Sequence, residues 1–401
     1  LKILVIAQYF PPDVTAPAYR IGETVERLLA LGHDVHVVTA QPHRGAGDPA
    51  RGARIPGDRV HRVDLKPLAG RGLRHYLEQY LGFACRAYAA AVRIRRKGFD
   101  YDVVWASSPP LFVAVCTLFL RMRVWRPIVF DVRDIWPDSA VGIGKLRRGS
   151  TLEKLGHVLE WLAYRSSSAL TCVSEPMARY LRSRTRRKVT VVYNGVAADD
   201  FEHLDEVQPD RQMFCYAGNL GHAQGLAGML EAFARARSGG ELAGCELVLI
   251  GGGVIEQDLR AQVAANGLED CVRFLGAMPK EDALRRMRRA GILVIPLLHA
   301  SAFALTVPSK VFDCMAMERP ILASLEGEGA EILSRSGANV VVAPGDVEAM
   351  ADAMTRLNRE WEGRMRLAPR NRELVRARYT REAAVAVLEE VLRDAAERKP
   401  R

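Results

Sequence analysis

Short apolar runs alternate along this chain with stretches whose apolar residues recur at helical spacing. Residues 2–8 make the first run, ending at Pro11-Pro12, and residues 35–39, 103–106, 128–132, 169–173 and 189–193 repeat it. Ile21, Val25, Leu28 and Leu29 predict a helix over 21–31 that Gly32 stops, and further helices are expected between the later runs. Asn194-Gly195 is a turn signal, after which the pattern restarts. Strands are predicted over 213–217, 246–250, 272–275 and 292–295, with helices over 225–236, 255–265 and 280–289. Residues 303–333 read as loop, helix, short apolar strand, and a glycine-containing turn into another helix. A last helix is predicted over 382–398, with Ala386, Leu388, Val391 and Leu392 on its apolar side. Near-continuous apolar strands alternating with helices predict parallel sheets covered on both faces. The fold class is therefore α/β, with two Rossmann-like domains, 1–195 and 196–378, facing a cleft.

Ligands of such sheets sit at the carboxyl ends of the strands. That singles out the loops at 11–20, 107–110, 133–139, 217–225, 251–253, 276–279 and 299–310. None carries G-x-G-x-x-G between the first strand and the first helix, so a dinucleotide oxidoreductase is poorly supported. Gly251-Gly252-Gly253 follows a strand, but a glycine triplet alone is equally a tight turn. More informative is Pro308-Ser309-Lys310 with Asp313 a turn later. Proline suits a first turn because it lacks the N–H that a helix start leaves unpaired. Ser309 and Lys310 then offer backbone donors, the helix dipole and an ammonium to an anion, and Asp313 offers an acceptor to ribose hydroxyls. The plain alternative is a capped helix with exposed charges.

Composition narrows the classes. The chain has 401 residues, 49% of them hydrophobic and 26% charged, a globular profile with room for two cores. The longest apolar run, 111–120, is too short to span a bilayer, and no leader segment is expected ahead of the first strand. Seven cysteines show no C-x-x-C pair, which fits reduced thiols in the cytoplasm, and nine histidines show no metal spacing, so no metal is expected. Residues 1–195 hold 31 Lys/Arg against 16 Asp/Glu, a net of +15, while 196–401 hold 26 against 31, a net of −5. The excess gathers at 93–97, 121–126 and 179–188, interleaved with Tyr, Trp and Leu. Such runs suit peripheral contact with an anionic membrane face, or are simply solvated helix faces. No nucleic-acid reader motif is present, so a nucleic-acid partner is not expected.

In order along the chain stand Lys2-Ile3-Leu4-Val5-Ile6-Ala7-Gln8-Tyr9-Phe10-Pro11-Pro12, Asp131-Val132-Arg133-Asp134-Ile135-Trp136-Pro137-Asp138-Ser139 and Tyr193-Asn194-Gly195-Val196. Then come Tyr216-Ala217-Gly218-Asn219-Leu220-Gly221 with Ala223-Gln224-Gly225, and Pro308-Ser309-Lys310-Val311-Phe312-Asp313. This series resembles the family-4 retaining glycosyltransferases of the two-Rossmann (GT-B) architecture over nearly the whole chain. It looks most like the branch that builds O-antigen and capsular polysaccharide and includes N-acetyl-fucosamine transferases.

The resemblance implies a nucleotide-sugar donor, with a UDP-sugar as substrate rather than cofactor, held by the second domain. Its base would lie near Gly276, Ala277 and Met278, with Gly251 close by. Asp313 would grip the ribose as the second acid of a Glu-x7-Glu motif, whose first acid is replaced by Leu305. Asn219 and Gln224 stand where most relatives carry an Arg and a Lys as diphosphate clamps, so the leaving group would depend on Lys310, Ser309 and their helix. Glu331 matches a late acid that meets the donor, or is a solvated first-turn carboxylate. Thr15 and Ala16 replace the glycines of the loop after the first strand, and Arg20 either compensates with its charge or pairs with a neighbouring acid. Arg133 and Asp134 occupy the place of a histidine and an acid near the donor sugar; the alternatives are a salt bridge for Arg133 and an N-cap or turn role for Asp134. Residues 379–401 would cross back to the first domain, and hinge closure would bring Arg133 and the 11–20 loop against the donor.

The activity so implied is metal-independent sugar transfer with retention, catalysed by Lys310, Arg133 and Asp134, to a lipid-linked or saccharide acceptor. The donor sugar would be an N-acetylated or deoxy hexose. A soluble natural-product acceptor, a UDP-sugar 2-epimerase of the same shape, and a non-catalytic nucleotide-sugar binder remain open alternatives.

Overall fold

A computed structural model of the chain describes residues 1–42, 54–65, 73–142, 144–202 and 207–398. They divide into two compact units, Leu1–Tyr193 with Arg381–Arg401, and Asn194–Thr380.

The first unit is built on seven parallel strands, β1 (Lys2–Ile6), β2 (Asp34–Ala40), β3 (Val60–Val63), β4 (Val103–Ser107), β5 (Ile128–Asp131), β6 (Ala169–Cys172) and β7 (Lys188–Val191). Their order is β3-β2-β1-β4-β5-β6-β7. Val5 of β1 is flanked by Val37 of β2 and Trp105 of β4, so the switch of direction falls between β1 and β4. Central strands buried on both faces explain the unbroken apolar runs. The edge strand β3, Val-His-Arg-Val, is half polar and gives no such run.

The first helix begins at Ala16, five residues before the periodicity predicts. Thr15 caps it by accepting from the Ala18 N–H at 3.3 Å, and a proline sits in its first turn. Thr15 and Ala16 thus belong to a helix start rather than to an extended loop. The Arg381–Glu397 helix packs on the Ala16–Ala30 helix and buries Val385, Leu388, Val391 and Leu392 in the core of the first unit. At roughly 1.5–3 kcal/mol for each fully buried aliphatic side chain, that face anchors the segment firmly. Ala386, expected on this face, is exposed, and Val385 takes its place.

The second unit carries six parallel strands, β8 (Asp210–Ala217), β9 (Glu246–Ile250), β10 (Val272–Gly276), β11 (Ala290–Pro296), β12 (Ile321–Ser324) and β13 (Val340–Val342). Their order is β10-β9-β8-β11-β12-β13, with the switch between β8 and β11. Phe214, Leu247, Leu249, Ile292 and Val294 of the sheet pack against Leu226, Met229, Leu230 and Phe233 of the Leu226–Ser238 helix. The three-residue β13 is too short for its apolar run to stand out in the sequence.

Candidate functional site

Loops from the carboxyl ends of β8, β9 and β10 meet the start of the Ser309–Ala316 helix inside the second unit. Pro308 is that helix's cap, with φ −61° and ψ 140°, so Ser309 rather than proline is its first residue. Lys310 lies in the first turn and reaches back to β8. Its Nζ donates to the Tyr216 hydroxyl at 3.2 Å and to Oε1 of Gln224, and it lies 4.6 Å from the centre of the Tyr216 ring. The Tyr216 hydroxyl in turn donates to the Asn219 carbonyl at 2.8 Å. Burial lowers the Lys310 pKa from the ordinary 10.5 to about 8, against smaller opposing effects of Cys314 and Asp313.

Glycines draw the loops together. Gly251 has φ 129°, and a Cβ there would stand 1.9 Å from the Gly218 carbonyl oxygen. The Gly251 N–H donates to the Gly276 carbonyl at 2.8 Å, and the Gly218 N–H to Ile250 at 2.9 Å. A Cβ on Gly218 would lie 3.4 Å from Nζ of Lys310. Gly251, Gly276, Gly218 and Lys310 therefore form one connected rim, and the glycine triplet does more than turn the chain.

Asn219 is exposed beside this rim, Ala277 is exposed and Met278 half-buried after β10, and Ser309 and Asp313 are half-buried on the lysine's helix. The side-chain carbonyl oxygen of Gln224 accepts from Lys310, and its amide N–H groups remain the donors it could offer a ligand. Glu331 is exposed in the Glu328–Ser334 helix, whose Gly327 cap has φ 73° and would clash with the Ala304 carbonyl if it bore a Cβ. The sequence reading gave Tyr216 no role; a tyrosine inside an apolar strand reads as core, and only the pairing of β8 with β11 brings the lysine's helix to it.

Asp131 organises the first unit's candidates. It is fully buried at the end of β5 and accepts from Arg20 at 2.9 Å, Arg133 at 2.7 Å, Ser107 at 2.9 Å and Thr171 at 2.7 Å. Of the two readings held for Arg20, the ion pair is the one observed. Its guanidinium also donates to Ser107 at 2.8 Å, and burial, then the neighbouring Arg133, lowers its pKa to about 9. Arg133 likewise makes the salt bridge, and its Nη1 donates to the Val192 carbonyl at 3.2 Å. Arg20 is thus an internal strut between Asp131 and Ser107. Asp134 differs: no partner for its carboxyl is found among the described residues, so no N-cap hydrogen bond is made there and the turn role stays open, and burial raises its pKa.

One group of three metal-capable side chains occurs among the described residues, Asp138, Glu153 and His157, within 4.8 Å of one another. All are otherwise engaged: Asp138 accepts from Tyr180, Glu153 from the Gly149 N–H, and His157 faces Glu160. Sequence spacing could not join Asp138 to the helix that carries the other two.

Residues 15–195 match the glycosyl transferase 4-like domain, and residues 211–360 match the glycosyl transferases group 1 family. The "Probable glycosyltransferase WbjE" of Pseudomonas aeruginosa is 24% identical over 66% of this chain and 68% of its own length. The alpha-D-kanosaminyltransferase of Streptomyces kanamyceticus is 28% identical over 44% of each chain. The O-antigen chain mannosyltransferase C of Escherichia coli is 23% identical over 51% of this chain and 56% of its own. In fold, the chain is similar to HepE of Anabaena, solved in complex with UDP, with a TM-score of 0.70 over 98% of this chain and 100% of that one at 16% identity.

Proposed function

We propose, on the premise that this chain is a glycosyltransferase with a 4-like domain followed by a group 1 domain, that its second unit binds a UDP-sugar at Lys310. The sugar then passes, with retention, to a saccharide acceptor in cell-surface polysaccharide synthesis. The observation that carries this reading is the Lys310 ammonium, fixed by Tyr216 and Gln224 at a helix start beside the Gly218–Gly251 rim. Backbone N–H groups, a helix dipole and a cation converge where a diphosphate would sit.

In the transfer the bond from the anomeric carbon to the diphosphate oxygen breaks, and carbocation character develops. The acceptor hydroxyl attacks the same face, and its proton passes to the departing phosphate oxygen, so no separate base is required. The enzyme's contribution is electrostatic: Lys310, with the Ser309 N–H, stabilises charge growing on the leaving group. Asp313 and the backbone at Gly276, Ala277 and Met278 would hold the nucleoside, Glu331 and the Asn219 and Gln224 amides the remaining polar groups. A site role in the first unit is assigned to Asp134, whose carboxyl has no partner among the described residues, whereas Arg133 and Arg20 are tied to Asp131.

The O-antigen mannosyltransferase match supports a saccharide acceptor, and the five-segment resemblance is the ground for an N-acetylated or deoxy hexose donor. The kanosaminyltransferase match supports a second reading, transfer to a small natural product. A panel of UDP-sugars tested for UDP release with oligosaccharide and aminocyclitol acceptors separates the two. The product's anomeric configuration, read by NMR, is expected to match the donor's, and EDTA is expected to leave the rate unchanged. Inversion, or loss of activity in EDTA, would overturn the corresponding part.

The lowered lysine pKa sets the pH dependence. The charged form is the one a diphosphate requires, so kcat/KM is expected to fall as pH rises through about 8, where Lys310 loses its proton. Gln224→Glu, which sets an anion beside the ammonium, should move that fall to higher pH. A profile flat to about pH 10, the ordinary lysine range, would contradict a charged role for Lys310.

A further inference from the structure

A helix apolar on all sides is expected to be covered on all sides. The Val113–Val124 helix is apolar round most of its surface, with no acidic residue and with Arg121 and Arg123 in its last turn, yet its outer side is open. Phe119, Met122 and the capping Trp125 are 49% to 65% exposed, and so are Leu155, Val158 and Trp161 of the Thr151–Ser166 helix packed beside it. Scattered exposed apolar residues are ordinary, but six of them on two helices that pack together mark an interaction surface.

Cations adjoin this patch. Arg165 lies 5.6 Å from the Trp161 ring centre, and Arg187 donates to the Arg165 carbonyl at 2.8 Å. Burial and then Arg187 lower the pKa of Arg121, which places those two guanidinium groups near each other. Arg123 and Lys154 are exposed on the same two helices. Their carboxylates are engaged: Glu160 is buried under the Tyr164 and Tyr180 hydroxyls, and Glu153 accepts from the Gly149 N–H. The basic runs at 121–126 and 179–188 therefore meet at one edge of an apolar face.

We propose that this face docks on an anionic lipid surface, with Phe119, Met122 and Trp161 entering at headgroup level and the arginines meeting lipid phosphates. A second copy of the chain fits less well, because a two-fold pairing would set these cations against their own copies. No described helix is long and apolar enough to cross a membrane. The inference goes beyond the transfer reaction and does not depend on it; sugar transfer to a water-soluble acceptor reads the reaction separately.

Co-sedimentation with phosphatidylglycerol-containing vesicles, against phosphatidylcholine alone, tests it. Binding to the anionic vesicles at low salt is expected, with release at about 1 M salt, where the screening length falls to about 3 Å. A Phe119→Ser/Trp161→Ser variant that keeps the parent's melting temperature should bind at least about tenfold more weakly. An Arg123→Glu/Arg165→Glu variant should do the same, and brominated lipid should quench tryptophan fluorescence in the parent. No binding at low salt, or variants that bind like the parent, would overturn the proposal. A concentration-dependent dimer lost in the serine variant, without vesicle binding, would instead assign the face to a second copy.

Discussion

Replacing Lys310 with alanine is expected to lower turnover on a UDP-sugar by about 10²-fold or more, the usual effect of removing one preorganised donor at a developing anion. The ammonium is built into its place by the Tyr216 hydroxyl, the Gln224 carbonyl and the face of the Tyr216 ring. It therefore needs little reorganisation when a diphosphate arrives. The loss should fall on kcat more than on KM, because charge on the leaving oxygen grows only as the bond breaks. The variant should fold at least as well as the parent, since removing a partly desolvated ammonium relieves a burial penalty. Steady-state kinetics with one active UDP-sugar, alongside a melting curve, checks both expectations. Near-parent turnover would remove Lys310 from the reaction and with it the central electrostatic argument.

The second large effect is on stability. Asp131→Ala is expected to destabilise the protein by about 3–5 kcal/mol, the range for breaking a buried ion pair by removing one partner. Burial alone would push this carboxyl up, but Arg133, Arg20 and the hydrogen bonds outweigh it and hold the pKa below the ordinary value. Without Asp131, two guanidinium groups lose their shared counter-ion and Thr171 and Ser107 lose an acceptor. Because the folded-state pKa is depressed, the stabilisation is present above the ordinary carboxyl range and is lost as pH falls through the folded value. Arg20→Met should cost less than Asp131→Ala, since Arg133 still pairs the carboxylate. Denaturant titration at neutral pH measures both, and an Asp131→Ala variant within about 1 kcal/mol of the parent would show that the pair is not a strut.

These two residues mark where the sequence is readable and where it is not. Strands buried on both faces announce themselves as apolar runs, so β1, β2, β4, β8 and β9 were legible. The half-polar edge β3 and the short β13 were not, because neither repeats a pattern long enough to exceed chance. The place of Lys310 in the first turn of a helix was legible because proline, serine and lysine at a helix start are a local signal. Tyr216 was not, since its hydroxyl matters only through a neighbour ninety-four positions away. Asp131 lay inside a quoted motif, but its partners Arg20, Ser107 and Thr171 come from other elements, joined only by strand order. The Val113–Val124 helix was legible in part. The sequence shows it as the apolar run 111–120 followed by the basic run 121–126, and the open outer side appears once the helix is placed in its layer.

The central claim is that the loops after β8, β9 and β10, with the start of the Ser309–Ala316 helix, hold the donor's nucleoside diphosphate. Backbone hydrogen exchange measured with and without UDP tests it most directly. Slowed exchange is predicted at Gly218–Gly225, Gly251–Gly253, Gly276–Met278 and Ser309–Asp313, and the effect should be lost in the Lys310→Ala variant at the same UDP concentration. UDP binding that leaves those segments unchanged and protects others would contradict the account.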